Sequence, residues 1–217
     1  MAVRVKTKDD FPLDPDTPWL QTGLRCTATV SEHLNDMQIF PSSFSTPLGG
    51  DLFDEEGIRF TFMLELAQSA GEPRLNSNDP HEQMFINCRN LEHPKVRERT
   101  REGVRIISDM MEHESFNVIV EELISPVEAD LASDDTLDQW LLENVWIGQQ
   151  LPGTCKIGSD SDEIAVVDQY GRVGGVQGPR VASPSIMPDC IRAKTNCTTI
   201  MIGERVANWI INQCPSR

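Results

Sequence analysis

Short runs in which apolar and polar residues alternate dominate the first third of the chain. They are GLRCTATV (Gly23–Val30), DMQIFPSSF (Asp36–Phe44) and IRFTFMLELAQ (Ile58–Gln68). Alternation with period two, β-branched residues and Gly, Pro, Asn or Asp breaks predict antiparallel strands. The piece TFMLELAQ also suits a helix, but the strand-like runs around it assign it to a strand. The first ~20 residues carry Pro12, Pro15 and Pro18 among aspartates and read as an extended surface segment.

From His93 the period lengthens. Val96, Val104, Ile107 and Met111 recur near helical spacing with charges between them, predicting an amphipathic helix. SDDTLDQWLLENVW (Ser133–Trp146) predicts another, with Ser133 or Asp134 as N-cap and Leu137, Trp140, Leu141 and Val145 on one face. The stretch between, 117–131, carries no clear pattern. After Gly148 the chain is loop-rich, with short strands expected at Ala165–Val167 and about Arg180–Val181. A last helix starts near Asn196, capped by Thr195 or Asn196, with Ile200, Val206 and Ile210 on or near one face. The fold class is α+β: a mainly antiparallel sheet with helices on one side, then a strand, loop and helix segment. The division expected is 1–147 and 148–217.

Composition narrows the function classes. The chain has 217 residues, enough for a real core, and a net charge of −15, which argues against nucleic acid or an anionic membrane as partner. No stretch approaches the ~20 apolar residues of a membrane span, and MAVRVKTKDDFPL has no apolar signal core. The six cysteines are scattered without a CxxC pair, as expected of reduced, buried thiols in a cytoplasmic protein. The four histidines lack metal-ligand spacing.

Several tempting motifs read more simply. The glycines of GRVGGVQG (Gly171, Gly174, Gly175 and Gly178) do not form GxGxxG between a strand and a long helix, so they are turn glycines. Cys155 in GTCKIG has no histidine near it in sequence and no GxSxG accompanies it, so it reads as a buried thiol. Asn196 at a helix start is accounted for by capping alone. The same helix start also presents N–H groups and a positive dipole end, suited to an electron-rich carbonyl or a developing anion.

Four segments together say more: GTCKIG (Gly153–Gly158), AVVDQYGRVGGVQGPRV (Ala165–Val181), PSIMPDC (Pro184–Cys190) and AKTNCTTIMIGERVANWI from Ala193. In this order and spacing they resemble the C-terminal signature of the glucose–methanol–choline family of flavin alcohol oxidoreductases. Weaker similarity extends upstream through LRCTATVSEHLNDMQI and RLNSNDP (Arg74–Pro80). The resemblance implies a substrate-side domain over 1–147, and over 148–217 a segment that completes an FAD-binding domain and the active site. It also implies a chain without the Gly-rich N-terminal half that holds most of the FAD.

At residue level, the resemblance implies catalytic roles for Gln150 and Asn196. Asn196 matches the family's His or Asn at the start of the last helix, while Gln150 stands where the family has a substrate-facing His. It further implies FAD contacts at Ser183, Pro184 and Ser185 and at Asn196, Cys197 and Thr198. Here Ser183 replaces the usual Asp, and Pro184 has no N–H to offer. Gln cannot accept a proton near neutral pH, which leaves the general-base role open. The expected activity is oxidation of a small alcohol, with a separate FAD-binding half or self-association completing the isolated chain. The alternative is a non-catalytic remnant or subunit that needs a partner chain.

Overall fold

The computed structural model describes residues 1–11, 16, 18–43, 57–148 and 151–212. The chain divides into two units, one made of 1–69 and 89–146, the other of 70–88 and 147–217. The segment 70–88, which falls within the first half of the sequence, thus groups with the second unit.

The first unit is built on a five-stranded sheet in the order β2-β3-β4-β1-β7. Its strands are β1 (Ala2–Thr7), β2 (Leu24–Cys26), β3 (Met37–Ser42), β4 (Ile58–Leu64) and β7 (Val120–Ser125). Every neighbouring pair is antiparallel. The three alternating runs thus form strands, and TFMLELAQ begins inside β4. The opening residues differ from expectation: β1 lies between β4 and β7, with Val3 and Val5 fully buried. The alternation of AVRVKT is a strand pattern that the prolines and aspartates downstream obscured. The unassigned stretch 117–131 supplies β7, paired to β1 through an irregular register, and a short helix α2 (Glu128–Leu131).

Helices α1 (Pro94–Met111) and α3 (Asp134–Asn144) cover one face of this sheet. On that face, Val3, Val5, Met37, Ile39, Phe60 and Phe62 form one core with Val96, Val104, Ile107 and Met111 of α1 and Leu137, Trp140 and Leu141 of α3. The pattern follows from cross-strand register, which sets Val3 opposite Phe60 and Ile39 opposite Phe62. Gly103 lets α1 approach closely, because a Cβ there would lie 2.0 Å from the Phe62 ring. Ser133 caps α3 by accepting from the Thr136 amide at 3.2 Å.

Polar pairs fix the layers. Arg101 reaches both oxygens of Asp138 at 3.0 Å, and Arg105 reaches Asp134 at 2.7 Å, tying α1 to α3. Deeper, Arg99 is buried and meets Asp36 at 2.8 Å. It also donates to the Glu65 carbonyl at 2.6 Å and to the Leu66 carbonyl at 3.2 Å, while Asp36 accepts from the Ala28 amide at 3.0 Å. A buried charge is tolerated when it is paired and hydrogen-bonded, as Arg99 is through its terminal nitrogens. This cluster binds α1 to the start of β3 and the end of β4.

The second unit holds the hairpin β5 (Glu72–Arg74) with β6 (Phe85–Asn87) and the terminal helix α4 (Asn196–Ile211). Its core is Val167, Ile186, Met187, Ile202 and Val206. The strands expected near 165–167 and 180–181 are only isolated bridges, Ile157 to Val167, Val167 to Val173 and Arg172 to Arg180. On α4 the buried residues are Ile202 and Val206, while Ile200 and Ile210 are 58% and 56% exposed. At about 100° per residue, Ile200 stands nearly opposite Ile202, while Ile210 follows Val206 by one turn near the exposed end of the helix, so only Val206 of the expected set is buried. Among the described residues no helix is long and apolar enough to cross a membrane.

Candidate active-site segment

The second unit brings together the predicted cofactor-contact segments. Cys155 donates its amide to the Ser185 carbonyl and Ile157 to the Ile186 carbonyl, both at 2.9 Å, so GTCKIG runs along the one-turn 3-10 helix Pro184–Ile186. Helix α4 packs against that same turn. Ser183, Pro184 and Ser185 thus lie in the same unit as helix α4, whose first turn holds Asn196, Cys197 and Thr198. Gln150 lies outside the described residues.

The two halves of this assembly differ in what they offer. Ser183 caps the turn: its hydroxyl accepts from the Ser185 amide at 3.4 Å and pairs with the Ser185 hydroxyl at 2.6 Å. Pro184 has no amide hydrogen, and the Ile186 and Met187 amides already donate to the Ser183 and Pro184 carbonyls. The turn thus presents hydroxyls rather than backbone donors. At the start of α4, Thr195 is the N-cap with φ −76° and ψ −12°, and its side chain makes no capping bond to the helix. Asn196 is the first helical residue rather than the cap, and both it and Cys197 are exposed. An α-helix leaves its first amides without an intrahelical partner, and they gather at the positive end of the dipole. Such donors suit a ring carbonyl or an anionic oxygen, so this helix start fits a flavin ring or an oxygen developing charge.

A second motif, legible only afterwards, positions α4. Asp168 is buried in its turn and accepts from the Tyr170 and Arg172 amides at 2.9 Å and from Arg172 Nε at 2.8 Å. Burial works to raise the Asp168 pKa, but those amides and the guanidinium outweigh it and hold the carboxyl below the usual range. Arg180 donates to the Tyr170 carbonyl at 2.8 Å. Gly171 takes φ +73°, and a Cβ there would meet the Val181 carbonyl at 2.7 Å, which is why the turn needs glycine. Tyr170 then meets Trp209 of α4 edge to face at 5.3 Å, with Arg205 over the Trp209 ring at 5.2 Å. The D-x-x-x-R spacing was the available signal for this turn.

Both the sheet-and-helix unit and this turn-and-helix unit occur together in known flavin enzymes. The GMC oxidoreductase family model matches residues 67–203. Over 147 residues the chain is 37% identical to the oxygen-dependent choline dehydrogenase of Cronobacter sakazakii, covering 68% of this chain and 26% of that protein. The Escherichia coli K12 enzyme of the same name is 33% identical over 165 residues, covering 76% of this chain and 29% of its own length. The chain therefore spans between a quarter and a third of these relatives. The fold is shared with a formate oxidase of Aspergillus oryzae, at a TM-score of 0.78 and 20% identity over 98% of this chain and 46% of that one. A pyridoxine 4-oxidase of Mesorbium loti has a TM-score of 0.76 and 17% identity over 97% of this chain and 41% of its own. The fold and segment are those of the C-terminal domain of GMC oxidoreductases. The chain belongs to the GMC oxidoreductase family.

Proposed function

We propose that this chain is the C-terminal part of an FAD-dependent alcohol oxidoreductase, in which 1–147 shapes the alcohol pocket and 148–217 closes the FAD-binding domain. The observation that carries this is the start of α4, with Asn196 and Cys197 exposed and no side-chain cap, on a helix that packs against the Pro184–Ile186 turn. FAD, when bound, supplies the acceptor for the hydride removed from the alcohol carbon. The Asn196 side chain holds the substrate oxygen. The amides of Asn196, Cys197 and Thr198 hold an electron-rich oxygen against the helix dipole. Ser183 and Ser185 contribute hydroxyls, and Pro184 shapes the turn without donating. Gln150 orients the alcohol hydroxyl by hydrogen bonding but takes no proton.

Cofactor retention requires a Gly-rich strand–turn–helix that this sequence does not contain. Titration of the 217-residue chain with FAD should leave flavin fluorescence unchanged. Adding a family FAD-binding half should quench that fluorescence and produce alcohol oxidation. In that assembly Asn196→Ala should lower turnover with little change in melting temperature, since Thr195 is the cap. Gln150→His should raise turnover, by up to the ~10²–10⁴-fold typical of a positioned base. Unchanged turnover in both variants with flavin bound would remove these assignments. A second reading, a non-catalytic subunit completed by a partner, is favoured by one feature. The Ser183–Ser185 hydroxyl pair and Pro184 leave that turn without a backbone donor. It predicts assembly with flavin but no oxidation, even for Gln150→His.

A further inference from the structure

Helix α4 sends Ile202 and Val206 into its own core and turns a second apolar stripe to solvent. Ile200, Gly203, Ala207 and Ile210 fall within an arc of about 80° on the helix. Ile200 and Ile210 are 58% and 56% exposed, and Ala207 is exposed between them. Gly203 is open to solvent in a particular sense: a Cβ built there would meet no atom of the described residues within 4 Å. Nothing around it in the chain demands glycine, which costs about 1 kcal/mol of helix stability against alanine. Small residues on an exposed helix face do let a second backbone approach closely. Glu204 lies outside the arc, and Arg205 sits over the Trp209 ring, so the stripe itself carries no charge.

Spacing identifies that second backbone. The four residues are separated by three, four and three positions, so the order large, small, small, large reads the same in both directions about Arg205. Two copies laid antiparallel across a two-fold axis at that level set Gly203 of one against Ala207 of the other. They also set Ile200 of one against Ile210 of the other. A two-fold contact requires a self-complementary patch of this kind, which a partner of different sequence does not. Charge permits it: the unit that carries α4 has nine acidic and eight basic residues, against 25 and 11 in the first unit.

We infer that α4 is a self-recognition surface, through which two copies of the chain pair as antiparallel helices crossing at Gly203 and Ala207. The pairing goes beyond the function proposed above and involves no flavin contact. One helix pair offers less than the ~800 Å² per partner of a standard interface, so the dimer forms and dissociates with concentration.

Sedimentation velocity of the full 217-residue chain at rising concentration should reach a plateau at the dimer, since a two-fold contact closes on itself. Gly203→Leu should weaken dimerisation about tenfold or more by filling the crossing point. Its melting temperature should hold or rise, because the position is open within the chain and leucine is the better helix former. Orientation is read separately, with a photo-crosslinking residue in place of Ile200. The joined peptides should contain Ile210 of the other copy rather than its Ile200, and the same label at Ile210 gives the reciprocal reading. Growth past the dimer without a plateau, undiminished association in folded Gly203→Leu, or crosslinks from Ile200 to Ile200 would overturn the inference. So would a chain that stays monomeric alone, which would leave this face to another partner such as a family FAD-binding half. No flavin enters the assay, so a failed flavin assembly leaves its outcome readable.

Discussion

At the residue scale, Asp168 shows how one carboxylate organises the turn that supports α4. It accepts two backbone amides and the Arg172 guanidinium while buried. Its folded pKa lies below the ordinary value, so it stabilises the fold above the unfolded pKa of about 4 and loses that contribution as pH falls through the folded value. Denaturant unfolding measured from pH 7 down to pH 2 should therefore show an acid limb below about pH 4. Asp168→Asn should lower stability at pH 7 and flatten that limb, because a neutral amide neither pairs with Arg172 nor titrates. An unchanged limb in the variant would assign the acid sensitivity to other carboxylates. Asp134, held low by a hydrogen bond from Arg105, and Asp162, held low by one from Lys156, are the natural next variants. Sequence showed Asp168 inside a family-like segment but not its role, since three convergent donors are a property of the folded turn. Asn196 was legible as a helix start. Its position one residue inside the cap was not, because Thr195 and Asn196 are both acceptable N-caps.

At the scale of elements, legibility followed periodicity. Helices α1 and α3 have long amphipathic patterns, and the spacing identified their buried apolar side chains Val96, Val104, Ile107, Met111, Leu137, Trp140 and Leu141. It did not identify the buried Arg99, Thr100 and Gly103, while Val145 is the C-cap of α3 and only partly buried. The strands β2, β3 and β4 alternate clearly and were equally readable. Strand β7 was not: VEELIS places consecutive acids in an edge strand whose pairing to β1 shifts register. Bulges break the period-two signal on which such readings depend. The close approach of α1 to β4 was also invisible, since a glycine in the middle of a helix reads as a defect worth about 1 kcal/mol against alanine. The structure reverses that expectation. A Cβ at Gly103 would stand 2.0 Å, 2.5 Å and 2.6 Å from three atoms of the Phe62 ring. Gly103→Ala should therefore destabilise by about 1–3 kcal/mol through overpacking, despite the better helix propensity. Phe62→Leu in the same chain should recover part of the loss, which thermal unfolding of the single and double variants would reveal. A stabilised Gly103→Ala protein would mean that α1 moves away from the sheet at little cost.

At the scale of the whole molecule, the chain carries apolar surface that its own cores do not use. Helix α4 buries Ile202 and Val206, yet Ile200, Met201 and Ile211 are 58%, 56% and 78% exposed on its other side. Ile200 and Ile211 are eleven residues apart, about three full turns, so they share one stripe, with exposed Ala207 between them. A helix that is apolar on both sides is covered on both in its working state. Exposed patches of this kind mark contact surfaces or drive association. The 217-residue chain should therefore bind a hydrophobic dye and self-associate with rising concentration in sedimentation velocity, despite a net charge of −15 that opposes association. Replacing Ile200 and Ile211 together by glutamate should abolish both signals. Because these side chains lie opposite the buried face, the melting temperature should change little, as for other exposed substitutions, within about 0.5 kcal/mol each. Adding a family FAD-binding half should compete with self-association if the same stripe receives it. A protein that stays monomeric and dye-negative at every concentration would show that the stripe needs no cover, and one that associates equally in the double variant would place the contact elsewhere.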